Sequence, residues 1–193
     1  MKLLKERILR EGTLASEGVL RVDSFINFQV DVELTDLMGR EFARIFEGSG
    51  ATKVLTVEAS GIPAAYATAV HMGNLPLIFA KKARPSTASG DDYCAELRSF
   101  TKGNVSTIRV PRKYLSFSDR VLIIDDFLAT GSASLALLEL LNLAGASCVG
   151  LGAVIEKEFQ GGRTKLEERG IKVSSLARIK SMREGRIEFA EED

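Results

Sequence analysis

Short runs of aliphatic and β-branched residues alternate along the chain with longer segments whose apolar positions recur at helical spacing. The runs fall at residues 54–57, 75–80, 121–124 and 147–155, and the helical segments at 3–10, 35–47, 62–71 and 132–144. Runs that are apolar at nearly every position fit strands buried on both faces. Their alternation with helices is the βαβ rhythm of a parallel sheet. In the segment 132–144, Ala136, Leu137, Leu138, Leu140, Leu141 and Leu143 leave a helix apolar almost all round. Such a helix is expected to pack on two sides, within the core or at a subunit contact. Gly145 follows it and suits a left-handed helix stop. The uncharged stretch 59–80 is long enough to raise the question of a membrane span, but Gly73-Asn74-Leu75-Pro76 interrupts it. A helix, a turn and a buried strand fit better.

Between 81 and 120 the pattern turns polar, with Arg84-Pro85-Ser86-Thr87, Ser89-Gly90-Asp91-Asp92 and Lys102-Gly103-Asn104, and one strand is expected at 105–110. This excursion, placed at about 82–108, reads as a flexible functional loop or lid. After 155 come Phe159-Gln160-Gly161-Gly162, a short charged helix at 164–169, and strands near 171–179 and 186–189. There is no internal repeat, and 193 residues suit one domain.

Composition narrows the function. The 26 basic residues balance 26 acidic ones, so no overall field draws the chain to nucleic acid or to an anionic membrane. Cys94 and Cys148 lie far apart, with His71 the one histidine, which argues against a disulfide framework or a structural zinc. His71 itself reads as structural. Charges at Lys2, Lys5, Glu6, Arg7 and Arg10 leave no apolar signal-peptide core, so the chain reads as cytoplasmic.

The most informative string is Val121-Leu122-Ile123-Ile124-Asp125-Asp126-Phe127-Leu128-Ala129-Thr130-Gly131-Ser132-Ala133. Four buried-strand residues deliver two carboxylates to a strand's carboxyl end, and a small-residue turn then opens a helix, which is where open α/β sheets bind ligands. Thr130, Gly131 and Ser132 can offer amides and hydroxyls to a phosphate at that helix start. Asp125 and Asp126 accept hydrogen bonds and suit ribose hydroxyls. A phosphorylated sugar answers both. Taken alone, the turn reads equally well as an ordinary capped helix start. No Walker-type loop occurs, and Gly150-Leu151-Gly152 lacks the third glycine of a dinucleotide fingerprint.

The string resembles the phosphoribosyl pyrophosphate motif of the type I phosphoribosyltransferases. The wider chain resembles their bacterial xanthine-specific members through Leu20-Arg21-Val22-Asp23-Ser24-Phe25-Ile26-Asn27, Glu58-Ala59-Ser60-Gly61-Ile62, Ser99-Phe100-Thr101-Lys102, Val154-Ile155-Glu156-Lys157 and Ser175-Leu176-Ala177-Arg178-Ile179. The resemblance implies a type I phosphoribosyltransferase fold, a twisted, mostly parallel α/β sheet flanked by helices. A small hood from about 1–34 and 156–193 would cover the base. It implies a homodimer, and transfer of ribose 5-phosphate from phosphoribosyl pyrophosphate to xanthine with release of pyrophosphate, in purine salvage. Mg2+ would bind mainly through the diphosphate and ribose oxygens of phosphoribosyl pyrophosphate, with few direct protein ligands. Where the family carries Ser-x-Thr-Leu, this chain has Pro85-Ser86-Thr87-Ala88-Ser89-Gly90.

Carried over by position, Ala129, Thr130, Gly131, Ser132 and Ala133 would hold the 5′-phosphate, and Asp125 and Asp126 the ribose hydroxyls. Ser60-Gly61 would cradle the pyrophosphate, with Lys81 or Lys82 reaching it. Leu20, Asn27 and Lys157 would recognise the base, and Phe159 is a stacking candidate by position and chemistry. An ammonium at Lys157 donates to a 6-oxo group and repels a 6-amino group, whereas Asn27 answers either a 2-oxo or a 2-amino edge. Without the resemblance, Lys157 between Glu156 and Glu158 reads as a solvated charge, Leu20 as core and Asn27 as a turn residue. Two alternatives stand beside xanthine transfer. One is transfer to guanine, hypoxanthine or adenine. The other is a noncatalytic regulator sensing phosphoribosyl pyrophosphate, which would need a basic face or an added helix-turn-helix domain.

Overall fold

A computed structural model of the chain describes residues 1–16, 18–83, 91–98, 105–183 and 185–191. Its elements in chain order are α1 (Lys2–Glu11), β1 (Thr13–Ser16), β2 (Val19–Arg21), a π-helical turn over Asp23–Asn27, α2 (Val32–Ile45), β3 (Lys53–Val57), α3 (Ile62–His71), β4 (Leu77–Ala83), β5 (Asp92–Arg98) and β6 (Val105–Pro111), followed by β7 (Arg120–Leu128), α4 (Ser132–Ala144), β8 (Ser147–Lys157), α5 (Gly162–Glu167), β9 (Val173–Arg183) and β10 (Arg186–Phe189). Eight strands form one sheet in the order β10-β9-β8-β7-β3-β4-β6-β5, and β1 pairs with β2 in a separate hairpin. The five strands from β9 to β4 are parallel. Antiparallel strands close both edges.

The unbroken apolar run of β7 has a direct cause. Leu122 and Ile124 face a core built with α1, α2 and α3. Val121 and Ile123 face the other side, against α4 and α5. Helices cover both faces, so neither alternate set can be polar. The all-round apolar α4 is explained in the same way, since it buries Ala136, Leu137, Leu138, Leu140, Leu141 and Ala144 while Leu143 stays exposed. Gly145 ends it at φ 71°, as expected. The amino-terminal and carboxyl-terminal segments share a core, with Leu4, Ile8, Leu20 and Phe25 packed together with Leu176, Ile179 and Met182.

Several expectations need correction. β7 does not stop at Ile124: it stays paired with β8 through Leu128↔Glu156, so Asp125 and Asp126 lie within the strand rather than after it. The excursion after Lys81 is not one loop. β5 pairs with β6 along its whole length, and β6 pairs with β4. Ala95, Ile108 and Val110 are buried by this arrangement. The charges and small residues of β5 hide its alternation in the sequence. Residues 84–90, which carry the departure from the family's loop signature, and 99–104 lie outside the described residues. α2 begins at Val32 because the Asp31 side chain accepts from the Leu34 N–H at 3.0 Å. The β1–β2 hairpin and the π-helical turn carry no periodic signal and went unforeseen.

His71 is structural, as expected: its Nε2 lies 2.6 Å from Asp36 Oδ1, joining α3 to α2. Cys94 and Cys148 are free thiols, and burial pushes the Cys148 thiol up to about 11. No helix among the described residues is long and apolar enough to cross a membrane.

α2 and α3 cross at Gly39, where a β-carbon would come within 2.4 Å of the Ala67 carbonyl carbon. Gly39→Ala gains about 0.5–1 kcal/mol of helix propensity but forces the helices apart, at about 1–3 kcal/mol. The clash should win, lowering the urea midpoint; an unchanged or raised midpoint would show that the crossing is not tight.

Candidate active site at the carboxyl ends of the central strands

β3 and β7 are neighbours at the centre of the sheet, and the chain leaves them in opposite directions, through α3 to β4 and through α4 to β8. They pair only from Lys53↔Val121 to Leu55↔Ile123. Beyond that point they part, which opens the crevice of a topological switch point. Asp125 and Asp126 stand on its β7 wall.

Asp125 is 2% exposed, and its Oδ1 accepts from the Asp126 N–H at 3.0 Å. Burial holds its carboxyl well above the usual carboxylate range; the neighbouring Asp126 charge pushes the same way and Lys82 opposes. Asp126 is also raised by burial, against hydrogen bonds from Asp125 and from backbone amides and against the charge of Lys82. Two adjacent carboxyls desolvated in this way accept hydroxyl donors readily, because burial has stripped them of water.

From Leu128 the chain turns through Ala129 and Thr130 into α4. Gly131 sits at φ 80°, in the left-handed region, and a side chain there would press on Gly162, whose Cα and O lie 3.3 Å from the β-carbon position. Thr130 Oγ1 and Ser132 Oγ share a hydrogen bond of 2.9 Å. The first-turn amides of α4 have no acceptor within their own helix, and the helix dipole adds to their attraction for an anion.

α5 braces this loop from behind. The Gly162 N–H donates to Ala129 O at 3.0 Å, and Lys165 Nζ donates to Thr130 O at 3.0 Å. α5 is fastened to the sheet by a buried ion pair, in which Arg163 grips both Glu156 oxygens at 2.9 and 2.6 Å. Ser175 also donates to Glu156, and Arg163 donates to Val173 O at 3.0 Å. Glu156 is 1% exposed, so this fork is what makes its burial tolerable.

On the opposite wall, the turn between β3 and α3 carries Ser60 and Gly61, and the Glu58–Ala59 peptide before them is cis. A β-carbon on Gly61 would lie 2.3 Å from Thr56 Oγ1 and 3.4 Å from Asp125 Oδ1, so only glycine fits. Ser60 and Asp126 line one narrow cleft, with Ile26 of the π-helical turn beside them. The amino-terminal segment therefore reaches the acid pair.

The two lysines of β4 separate cleanly. Lys82 acts on both acids, and its N–H donates to Glu58 Oε1 at 2.7 Å. Lys81, on the other face of the strand, stands 5.8 Å over the Phe79 ring and lines a groove of about 630 Å³ with Arg109 and Tyr114.

Lys157, at the end of β8, is partly buried, which lowers its ammonium pKa. Its Nζ donates to Gly18 O at 2.9 Å and lies 5.2 Å from the centre of the Phe127 ring. Phe127 is thus a missed neighbour of Lys157, although it directly follows the acid pair in the sequence. Phe159 sits in a short 3-10 turn and is 47% exposed. The Leu20 side chain belongs to the core. Asn27 ends the π-helical turn, and its Oδ1 is buried without a hydrogen-bond partner among the described residues. Sequence reasoning also missed Glu156 and Arg163 as a pair, and Thr56, a polar residue in the buried run of β3 that was its own signal.

The family described as the phosphoribosyl transferase domain matches residues 31–184. A protein named xanthine phosphoribosyltransferase from Moorella thermoacetica is 53% identical over 189 residues, covering 98% of this chain and 96% of that protein. The chain belongs to the xanthine phosphoribosyltransferase family. A second member so named, from Brevibacillus brevis, is 50% identical over 193 residues, covering 100% of this chain and 98% of that one. Among solved structures, adenine phosphoribosyltransferase from Thermoanaerobacter pseudethanolicus superposes with a TM-score of 0.74 at 20% identity, covering 91% of this chain and 99% of that chain. The type I phosphoribosyltransferase fold expected from the motif is therefore the fold observed.

The raised Asp125 carboxyl makes a prediction for this family member's stability. Its folded pKa exceeds its unfolded one, so the folded state is favoured while the carboxyl is protonated. That contribution is lost as pH rises from the ordinary carboxylate range through the raised value. Asp125→Asn should therefore melt above the wild type at neutral pH, with the gap closing near about pH 4, where both are uncharged. Equal melting temperatures at neutral pH would mean that the carboxylate is not strained by burial.

Proposed function

We propose that the chain transfers the phosphoribosyl group of phosphoribosyl pyrophosphate to xanthine, forming xanthosine 5′-monophosphate and pyrophosphate, as a cytoplasmic purine-salvage enzyme acting as a homodimer. The observation that carries the choice of base is Lys157, a desolvated ammonium resting over Phe127 one step past the acid pair. Such a group seeks a carbonyl oxygen, as an oxopurine offers at position 6, and repels the amino group of adenine.

In this reading the 5′-phosphate occupies the loop Ala129-Thr130-Gly131-Ser132-Ala133, at the amide-rich start of α4. Asp125 and Asp126 take the ribose hydroxyls, which return to them the hydrogen bonds that burial withholds. Ser60 and Gly61 hold the diphosphate and Lys82 supplies the nearby positive charge, while Lys81 faces away from the acids within its own chain. The base lies by Phe127, with Lys157 and the unpartnered Oδ1 of Asn27 as its polar contacts; Phe159 borders this region and Leu20 backs it from the core. The amino-terminal segment and the carboxyl-terminal strands form the hood.

The described residues contain no cluster of three metal-ligating side chains. The oxygen donors of Asp125 and Asp126 suit magnesium, which would be held chiefly by substrate oxygens beside them. When bound, magnesium would supply charge neutralisation to the diphosphate leaving group. The protein's own residues orient the ribose toward the base nitrogen and place carboxylate charge beside the sugar as it becomes cationic, so no covalent nucleophile is needed.

The test is nucleotide formation from phosphoribosyl pyrophosphate and magnesium with xanthine, guanine, hypoxanthine and adenine separately, for the wild type and Lys157→Ala. Xanthine should react best and adenine worst. Lys157→Ala should lose about 10-fold or more in kcat/KM for xanthine while still binding phosphoribosyl pyrophosphate. A preference for adenine, or an unaltered base profile in the variant, contradicts the reading. Binding of phosphoribosyl pyrophosphate with no transfer to any base would favour a sensor.

A further inference from the structure

Thr56 is an anomaly in β3. Its neighbours Val54, Leu55 and Val57 are apolar and buried, and Thr56 itself is 0% exposed. Its Oγ1 has no hydrogen-bond partner among the described residues. Buried hydroxyls are nearly always satisfied, often by their own backbone, so an orphan in the central strand of a sheet needs a reason. Its location supplies one. The same point above Gly61 is touched by Thr56 Oγ1 at 2.3 Å and by Asp125 Oδ1 at 3.4 Å. The hydroxyl and the buried carboxyl thus approach the Ser60-Gly61 turn at the same point. In the present arrangement Asp125 Oδ1 takes its hydrogen bond from the Asp126 N–H instead.

We propose that Thr56 is a positioning residue whose hydroxyl pairs with Asp125 once substrate occupies the crevice. This rests on the assignment of the Ser60-Gly61 turn to the diphosphate and of Asp125 to the ribose. When the diphosphate settles on the turn and the ribose draws the carboxylate toward it, a small shift of Gly61 lets the freely rotating hydroxyl donate to Asp125. The penalty borne by the orphan hydroxyl in the free protein is then relieved only in the substrate complex. Relief confined to the bound state becomes binding energy for phosphoribosyl pyrophosphate.

The geometry gives a signature that an ordinary structural residue would not show. Thr56→Val keeps the shape and removes the hydroxyl. It should leave the melting temperature of the free protein unchanged or raised, yet increase the KM for phosphoribosyl pyrophosphate about 10-fold, with the KM for xanthine and kcat changed less than about threefold. Thr56→Ser, which restores the hydroxyl, should recover the wild-type KM. The inference is overturned if Thr56→Val leaves the KM for phosphoribosyl pyrophosphate unaltered, if its melting temperature falls, or if serine fails to rescue. Titrating phosphoribosyl pyrophosphate and magnesium into wild type and Thr56→Val by calorimetry keeps this separate from the choice of base. Should the wild type transfer to no purine, the proposed function fails, and the difference in binding between the two proteins still decides the role of Thr56.

Discussion

Keeping two adjacent carboxyls out of water is the constraint from which the rest of the site follows. Asp125 is buried within a strand that stays paired beyond it, and the charge of its own neighbour opposes its ionisation. A folded protein gains nothing from such a pair, since desolvation disfavours each charge and the two repel. Its persistence is explained if a sugar that donates hydroxyls to the pair, and gains positive charge as it reacts, completes it. The crevice where β3 parts from β7 gives that ligand its entrance.

The surroundings of the pair are built for rigidity. The Glu156–Arg163 fork fastens α5 to β8, and α5 in turn holds the loop at the start of α4 through Gly162 and Lys165. Glu156 precedes Lys157 on the same strand, so one ion pair serves both ends of the crevice. Loosening it would disturb the loop at the start of α4 and the Lys157 ammonium. The opposite wall is close-packed, because a β-carbon on Gly61 would run into Thr56 and meet Asp125. A site of fixed parts suits a reaction in which the protein contributes chiefly orientation and electrostatics.

Much of this was legible in the residues. The apolar runs of β3, β7 and β8 announced a parallel sheet because helices cover both of its faces, and the string from Val121 to Ala133 located the acids and the helix start. What stayed hidden has physical causes. The extension of β7 through Asp125 depends on its pairing with β8, a tertiary fact that no local pattern encodes. β5 looks like loop because its inward positions include small residues and its outward ones charges. Glu156 and Arg163 are separated by a glycine turn, so their meeting depends on where α5 folds back. Lys81 and Lys82 were inseparable by residue type, and strand alternation tells them apart only when the strand's extent is known. Phe127 and Thr56 were in view, the first hidden by the attention its acidic neighbours drew and the second by the apolar run around it.

In the proposed function a single crevice seats the phosphate at the start of α4, the ribose on the acid pair and the base beside Lys157. A crystal structure of the chain with xanthosine 5′-monophosphate tests it most directly. The 5′-phosphate should lie within about 3 Å of the amides around Thr130, Gly131 and Ser132, with the ribose hydroxyls on Asp125 and Asp126 and the 6-oxo oxygen on Lys157 Nζ. A nucleotide seated instead in the groove beside Phe79 and Lys81, or in the crevice with its base turned away from Lys157, would contradict it.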